Sequence, residues 1–283
     1  MKVLTYFMVL SLGLLFTQDL HAQFRYGYFK VGVSAGSTNY LGDLDDDLTF
    51  RFTKPGFGIS GSYRMNPFMT ARLNFFRGYA RATDAVSFND VRQRRNLSFR
   101  TPITEASVHM VFDFIATDRR YNYRPPFVPY VFGGIGIFTF NPQAQLGNRW
   151  YDLQPLGTEG QNLVDPLGIY PEQYKLTQFT VPMGTGVRFS LSRRLDLEIE
   201  TGFRKTFTDY LDDVSNLYPD LEDLRAQNPV AALLSDRIDL NEFPEGAAIA
   251  NGIRGDRTQT DWYIYTAVRV SYILDWVKCP TFR

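Results

Sequence analysis

Thirty lysines and arginines balance thirty aspartates and glutamates over 283 residues, which excludes the broad basic field expected of a nucleic-acid-binding protein. A single cysteine, Cys279, excludes an internal disulfide framework, and the thiol is left free or paired with another chain. Phenylalanine (24) and tyrosine (17) are abundant, as expected if aromatic rings form girdles at a membrane interface.

The chain opens with Lys2, an apolar run from Val3 to Phe16, and Leu20-His21-Ala22, which ends in a small residue before Gln23. That is the pattern of a secretory signal peptide over residues 1–22, with residues 23–283 left as one domain of all-β size. The apolar run is shorter than the roughly 20 residues of a spanning helix. Charges or glycines interrupt every later apolar run, so any crossing of a membrane is made by strands.

Tyr28 to Leu41 alternates Phe29, Val31, Val33 and Ala35 with Lys30, Gly32, Ser34 and Gly36, which predicts a first strand. Tyr40 to Lys54, with Asp43, Asp45, Asp46 and Asp47, reads as a solvated loop. A second strand is expected over Pro55–Met65 and, after the sharp turn Asn66-Pro67, a third over Phe68–Tyr79. Ala80 to Arg95 is a longer polar loop. The fourth strand, about Leu97 to Ile115, sets Ala106, Val108, Met110, Phe112 and Phe114 against Glu105, Ser107, His109 and Asp113. Its register is unclear around Thr101-Pro102, which points to a bulge there.

Asp118 to Pro126 is a turn. The fifth strand, Phe127–Phe140, is apolar on both faces and does not declare which face meets lipid. After the loop Asn141–Leu176, Gln178 to Lys205 forms an antiparallel hairpin about Leu191–Arg194. One face carries Phe179, Val181, Met183, Val187, Leu195, Leu197 and Ile199. The other carries Arg188 and Arg204 against Glu198 and Glu200, diluted with glycine and serine. The longest connection, Phe207–Thr260, holds Asp209, Asp212, Asp213, Asp220, Glu222 and Asp223, with a short helix around Pro219–Leu234. Asp261–Leu274 is the eighth strand.

Eight strands with connections that alternate long and short predict an all-β fold: an antiparallel transmembrane β-barrel of the outer-membrane kind. Short periplasmic turns, long extracellular loops and both termini in the periplasm follow from that plan. A lipocalin-like barrel would need an apolar interior and a wet exterior, and its outer face would then be glycine, serine and matched Arg/Glu, a poor solvated surface. Eight strands leave room inside only for side chains. Arg64, Arg72, Glu105, Arg188, Glu198, Glu200, Arg204 and Arg269 are therefore expected to plug the bore as a lumen ion network.

No catalytic residue, metal site or cofactor is expected, because no G-x-S-x-G, phosphate-binding glycine loop or zinc spacing occurs. His109 lies mid-strand among Glu105, Ser107 and Asp113, where filling an ion network is the simpler role than general base. The Asp43–Asp47 cluster has calcium-type donors but no calcium-loop spacing. Arg92, Arg94 and Arg95 read as a charged loop, with contact to lipid phosphates as the alternative.

The periplasmic rim is expected to be basic, from Arg64, Arg119, Arg120, Arg124, Arg193, Arg194, Lys278 and Arg283 against Asp118 and Asp275. Such a rim can steer an acidic partner. The tail Asp275–Arg283 places Cys279 close to the chain end, where it can anchor another protein.

Two stretches carry a family resemblance. KVGVSAGSTNYLGDL, Lys30–Leu44, resembles the first strand and loop of PorG-type outer-membrane barrels of Bacteroidota, and KCPTF, Lys278–Phe282, is similar to that family's end. The resemblance implies a non-enzymatic component of the type IX secretion system. Its partners would be a periplasmic ring of a lipoprotein and its companion, together with outer-membrane lipid. The ring would meet Lys278, Cys279, Arg119, Arg120, Arg193 and Arg194. A free-standing barrel for envelope integrity or narrow solute passage is the alternative, and an outer-leaflet lipid-modifying enzyme a third.

Overall fold

Alternation with a period of two sends successive side chains to opposite faces of a strand, and in this chain it runs through eight long segments. The computed structural model describes residues 27–45, 50–117, 124–164, 168–238 and 252–274. Its strands are β1 (Phe29–Leu41), β2 (Lys54–Arg64), β3 (Met69–Thr83), β4 (Ser98–Asp113), β5 (Phe127–Phe140), β6 (Gln143–Leu146), β7 (Arg149–Asp152), β8 (Thr177–Ser190), β9 (Leu195–Thr206) and β10 (Trp262–Leu274). The eight long ones pair antiparallel with their neighbours, and β1 pairs with β10, so the sheet closes into a barrel. Closure satisfies the backbone without leaving an edge strand.

Two turns at one end are short and internally bonded. Asn66 Oδ1 accepts from the backbone N–H of Phe68 (2.9 Å) and Met69 (2.8 Å), reversing the chain between β2 and β3. Ser192 Oγ does the same for Arg194 (3.3 Å) and Leu195 (3.2 Å) between β8 and β9.

The apolar face points outward. Val33 is 62% exposed, Ile135 73% and Phe179 70%, whereas Glu105 is 0% and Arg204 1% exposed. Isolated water-soluble domains do not expose such a continuous apolar surface, so this is a lipid-facing belt. Near the short turns it is edged by ring pairs, Phe29–Tyr63 at 4.6 Å and Phe127–Phe189 at 5.5 Å between centroids. β5, ambiguous in sequence, is settled by burial. Phe127, Val131, Ile135 and Ile137 face out, while Val128, Tyr130, Phe132, Phe138 and Phe140 face in.

Beyond the belt the pattern inverts. β3 continues past Tyr79 to Thr83, with Arg77 and Arg81 outside and Phe76, Ala80 and Ala82 inside. The inner aromatics join Phe99, Ile103, Phe138, Phe140, Tyr263 and Tyr265 in one buried cluster. A strand whose outer face changes from apolar to charged has left hydrocarbon for water, and its inner face then packs like the core of a soluble protein. The barrel thus projects above the membrane on its long-loop side, and mutual ion pairing fills only the other half of the bore.

The expected bulge at Thr101-Pro102 is absent. The β3–β4 ladder runs without interruption from Met69↔Phe112 to Thr83↔Ser98, and Pro102 lies one residue beyond Ile103, where the β5 ladder stops. Its missing N–H therefore costs no ladder bond on that side. The loops carry short helices α1 (Asp90–Arg95), α2 (Leu221–Gln227) and α3 (Pro229–Ser235), capped by the side chains of Asn89, Asp220 and Asn228. The helix expected around Pro219–Leu234 is two helices, because Pro229 cannot continue the first and is suited to begin the second. None of the described helices is long and apolar enough to cross a membrane.

Candidate functional site

The bore is occupied from one end to the other. In the half nearest the short turns, inward-facing charges from seven strands meet. Glu198 lies within 3.1–3.7 Å of Lys30, Arg72, Arg188 and Arg269. Glu200 pairs with Arg72 at 2.8 Å and Arg269 at 2.9 Å, and accepts from the Tyr130 hydroxyl at 2.9 Å. Asp113 takes Arg188 at 2.8 Å and also Arg64. Glu105 takes Arg204 at 3.3 Å and the Tyr263 hydroxyl at 2.8 Å. The arginines also stack on inward rings, Arg72 over Phe132 at 4.9 Å and Arg188 over Tyr130 at 5.3 Å.

All eight residues expected in the lumen lie there, buried. Lys30, Asp113, Asp196 and Tyr130 complete the network. Parity placed the first three on polar faces, but nothing in the sequence marks which charge pairs with which. Tyr130 was hidden because its strand is apolar on both sides.

Glu105, Ser107 and His109 form a row on β4, with Ser107 Oγ donating to Glu105 and lying 2.9 Å from His109 Nε2. The serine stands between carboxylate and imidazole, its proton already committed to Glu105. His109 can then only donate to it, which is the reverse of a general base activating a hydroxyl. The imidazole is 1% exposed and stacks on Phe132 at 5.1 Å.

At the other mouth the loops form a cap, and here the expectation of a solvated first loop is corrected. The segment after Tyr40 is packed rather than solvated, with Leu44 3% and Asp45 6% exposed. Asp46 and Asp47 lie outside the described residues. Arg95 does not face lipid. It binds Asp84 at 2.7 and 2.9 Å and the backbone oxygens of Asp43 and Arg254, tying three loops together. The acids of the longest connection are also partly interior. Asp213 accepts from the Tyr174 hydroxyl at 2.6 Å and from Thr158, and Glu159 accepts from the backbone of Ser215 and Asn216 and from Arg254 at 2.9 Å. Burial of these carboxylates is tolerable because each is bonded to donors.

A second acidic group surrounds Tyr40, whose hydroxyl is 2.6 Å from Asp212 Oδ2 and 2.8 Å from Asp261 Oδ1. One hydroxyl proton cannot serve both carboxylates, so a further proton is favoured on one of them. Burial pushes Asp261 up to about 8, with Asp43 adding to it, and burial with Asp261 pushes Asp209 up to about 9. Beside them is a cavity of about 420 Å³ lined by Gly42, Asp43, Arg92, Asp209, Asp256 and Asp261 among others. Among the described residues no cluster of His, Cys, Asp or Glu is disposed to hold a metal.

At the short-turn end, Arg64 and Arg124 are not rim charges. Arg64 is 1% exposed, bonded to Asp113, the Pro67 carbonyl and Thr70. Arg124 binds Asp196 and the carbonyls of Ser192 (2.8 Å) and Arg193 (3.1 Å), joining two turns. Arg193 and Arg194 are exposed. Arg119, Arg120, Lys278 and Cys279 lie outside the described residues.

A closed antiparallel barrel with a lipid-facing exterior and a charged, filled interior defines a membrane-spanning β-barrel of the outer-membrane class. The chain belongs to the DUF6089 family, described as a domain of unknown function, whose model matches residues 3–152. No curated protein matches the sequence. Among solved structures it is similar to Neisserial surface protein A, at 10% identity and a TM-score of 0.42, with 86% of this chain and 96% of that one covered. It is also similar to Ail, the attachment invasion locus protein of Yersinia pestis (9%, TM-score 0.41, 88% and 99% covered). A third is the N-terminal β-barrel domain of Pseudomonas aeruginosa OprF (9%, TM-score 0.37, 88% and 99% covered).

Proposed function

We propose that this protein is a non-enzymatic outer-membrane component of the type IX secretion system, of PorG type, with both termini in the periplasm after removal of a signal peptide at Ala22. It anchors or scaffolds a periplasmic ring of a lipoprotein and its partner through its short-turn rim and tail. The observation that carries this reading is the occupied bore, with ions in one half and aromatics beneath the loop cap in the other. A barrel that leaves no passage works through its surfaces. The exposed Arg193 and Arg194 support docking on the turn side, as do the Lys30–Leu44 and Lys278–Phe282 resemblances. The same filled bore weighs against free solute passage, and the proton order at Ser107 weighs against hydrolytic chemistry at His109.

Affinity purification of the tagged protein from its native envelope tests the proposal. Ring lipoproteins should copurify, and deletion of the gene should abolish release of secreted cargo. Purification alone with secretion intact contradicts it. Non-reducing electrophoresis beside Cys279→Ser decides whether the tail thiol is joined covalently to a partner.

A further inference from the structure

Three outward-facing arginines just above the lipid belt are not used by any role described so far. On β3, Arg77 follows Phe75 on the outer face, and Tyr79 and Arg81 continue it. On β4, Arg100 is the direct cross-strand neighbour of Arg81, and Arg77 stands opposite Thr104, itself level with Thr139 on β5. The row Arg77–Thr104–Thr139 is where the apolar exterior stops.

Like charges placed directly opposite on two strands destabilise a sheet. Among the described residues neither Arg77 nor Arg81 makes an ion pair, and Arg100 makes none with a carboxylate. Arg100 donates to Gln143 Oε1 at 2.9 Å and lies over the Trp150 ring at 3.6 Å, so its guanidinium is held in place. The acid on the adjoining hairpin, Asp152, accepts from Asn141 (2.9 Å) and Gln143 (2.7 Å). The patch is thus a set of unneutralised forks at headgroup height, of which Arg100 is held in place against an aromatic anchor.

We propose that Arg77, Arg81 and Arg100 bind the phosphate groups of a lipid in the leaflet on the loop side, whose acyl chains lie on Phe57, Leu73 and Phe75 below. Arg77 is the direct cross-strand neighbour of Phe57. A rise of about 3.4 Å per residue and a tilt near 40° set Arg81 roughly 10 Å higher than Arg77. That separation suits a headgroup bearing two phosphates rather than one.

The test uses the full protein in non-ionic detergent, read by native mass spectrometry. The probes are diphosphoryl lipid A, the same lipid stripped of phosphate, and inorganic phosphate. Wild type should retain diphosphoryl lipid A. The combined variant R77Q/R81Q/R100Q should hold it on the order of a hundredfold more weakly, at roughly fivefold per cation. Equal retention by that variant, or equal retention of the stripped lipid, overturns the proposal. Inorganic phosphate that binds wild type alone and displaces the lipid overturns the assignment to a lipid. Heat-modifiable gel migration reports an intact barrel. Should the combined variant lose it, R81Q alone is read in its place, with about fivefold weakening expected and unchanged retention overturning the site.

Discussion

Arg188 on β8 reaches across β5 to Asp113 on β4 and binds it with both terminal nitrogens, at 2.8 and 3.2 Å. The same carboxylate also takes Arg64. One buried acid therefore holds two arginines from opposite sides of a membrane barrel. Such clusters add little stability relative to an apolar filling, but removal of one member leaves its partners charged and unpaired.

Asp113→Ala should accordingly cost about 3–5 kcal/mol in urea unfolding of the micelle-bound barrel. The triple variant Arg64→Met, Asp113→Leu, Arg188→Met should recover most of that loss. A single variant as stable as wild type would mean the cluster is solvated rather than buried.

Gly133 and Gly134 are neighbours on β5 with opposite surroundings. A Cβ at Gly133 meets nothing within 4 Å, whereas one at Gly134 falls 2.1 Å from the Val108 carbonyl and 2.9 Å from His109 Cα. Gly133→Ala should leave assembly unchanged. Gly134→Ala should slow assembly into vesicles and lower the unfolding midpoint, because backbone atoms cannot step aside as a flexible side chain can. Equal behaviour of the two variants would contradict the assigned faces.

The cap should loosen as pH rises. Asp261 and Asp209, ordinarily near 3.8, are pushed up to about 8 and about 9 in the folded cap. Between those limits the folded cap binds more protons than the unfolded chain, so their contribution is full below the ordinary value and is lost as pH passes through 8 to 9. Amide exchange over residues 207–217, corrected for intrinsic rates, should be slower at about pH 5 than at about pH 9. Asp261→Asn should flatten the difference. Exchange that slows with rising pH would contradict the sign.

Much of the barrel was legible because lipid and lumen impose opposite demands on alternate residues. The run Phe179–Val187 against Arg188, Glu198 and Glu200 reveals both faces without any partner strand. β5 was opaque because its inner face serves the aromatic half of the bore, so Phe138 and Phe140 look like lipid-facing residues. The cap was misread for a related reason. Asp43 resembles part of a solvated loop until the Asp256 N–H arrives to bind it, and Asp212 and Asp213 show no partner until Tyr40, Tyr174 and Arg254 come in from distant segments. Pairings of that length leave no local spacing to read. The arginines at 77, 81 and 100 were visible as charges, but their alignment needed the β3–β4 register.

Planar-bilayer recording of the purified wild-type protein tests the occupied bore most directly. A flat trace is predicted, and it should persist when Arg72, Glu198, Glu200 and Arg269 are replaced together by alanine, because the aromatic cluster of Phe76, Phe138, Phe140 and Tyr263 still closes the other half. Regular ohmic steps from the unmodified protein would contradict the account and favour a solute channel.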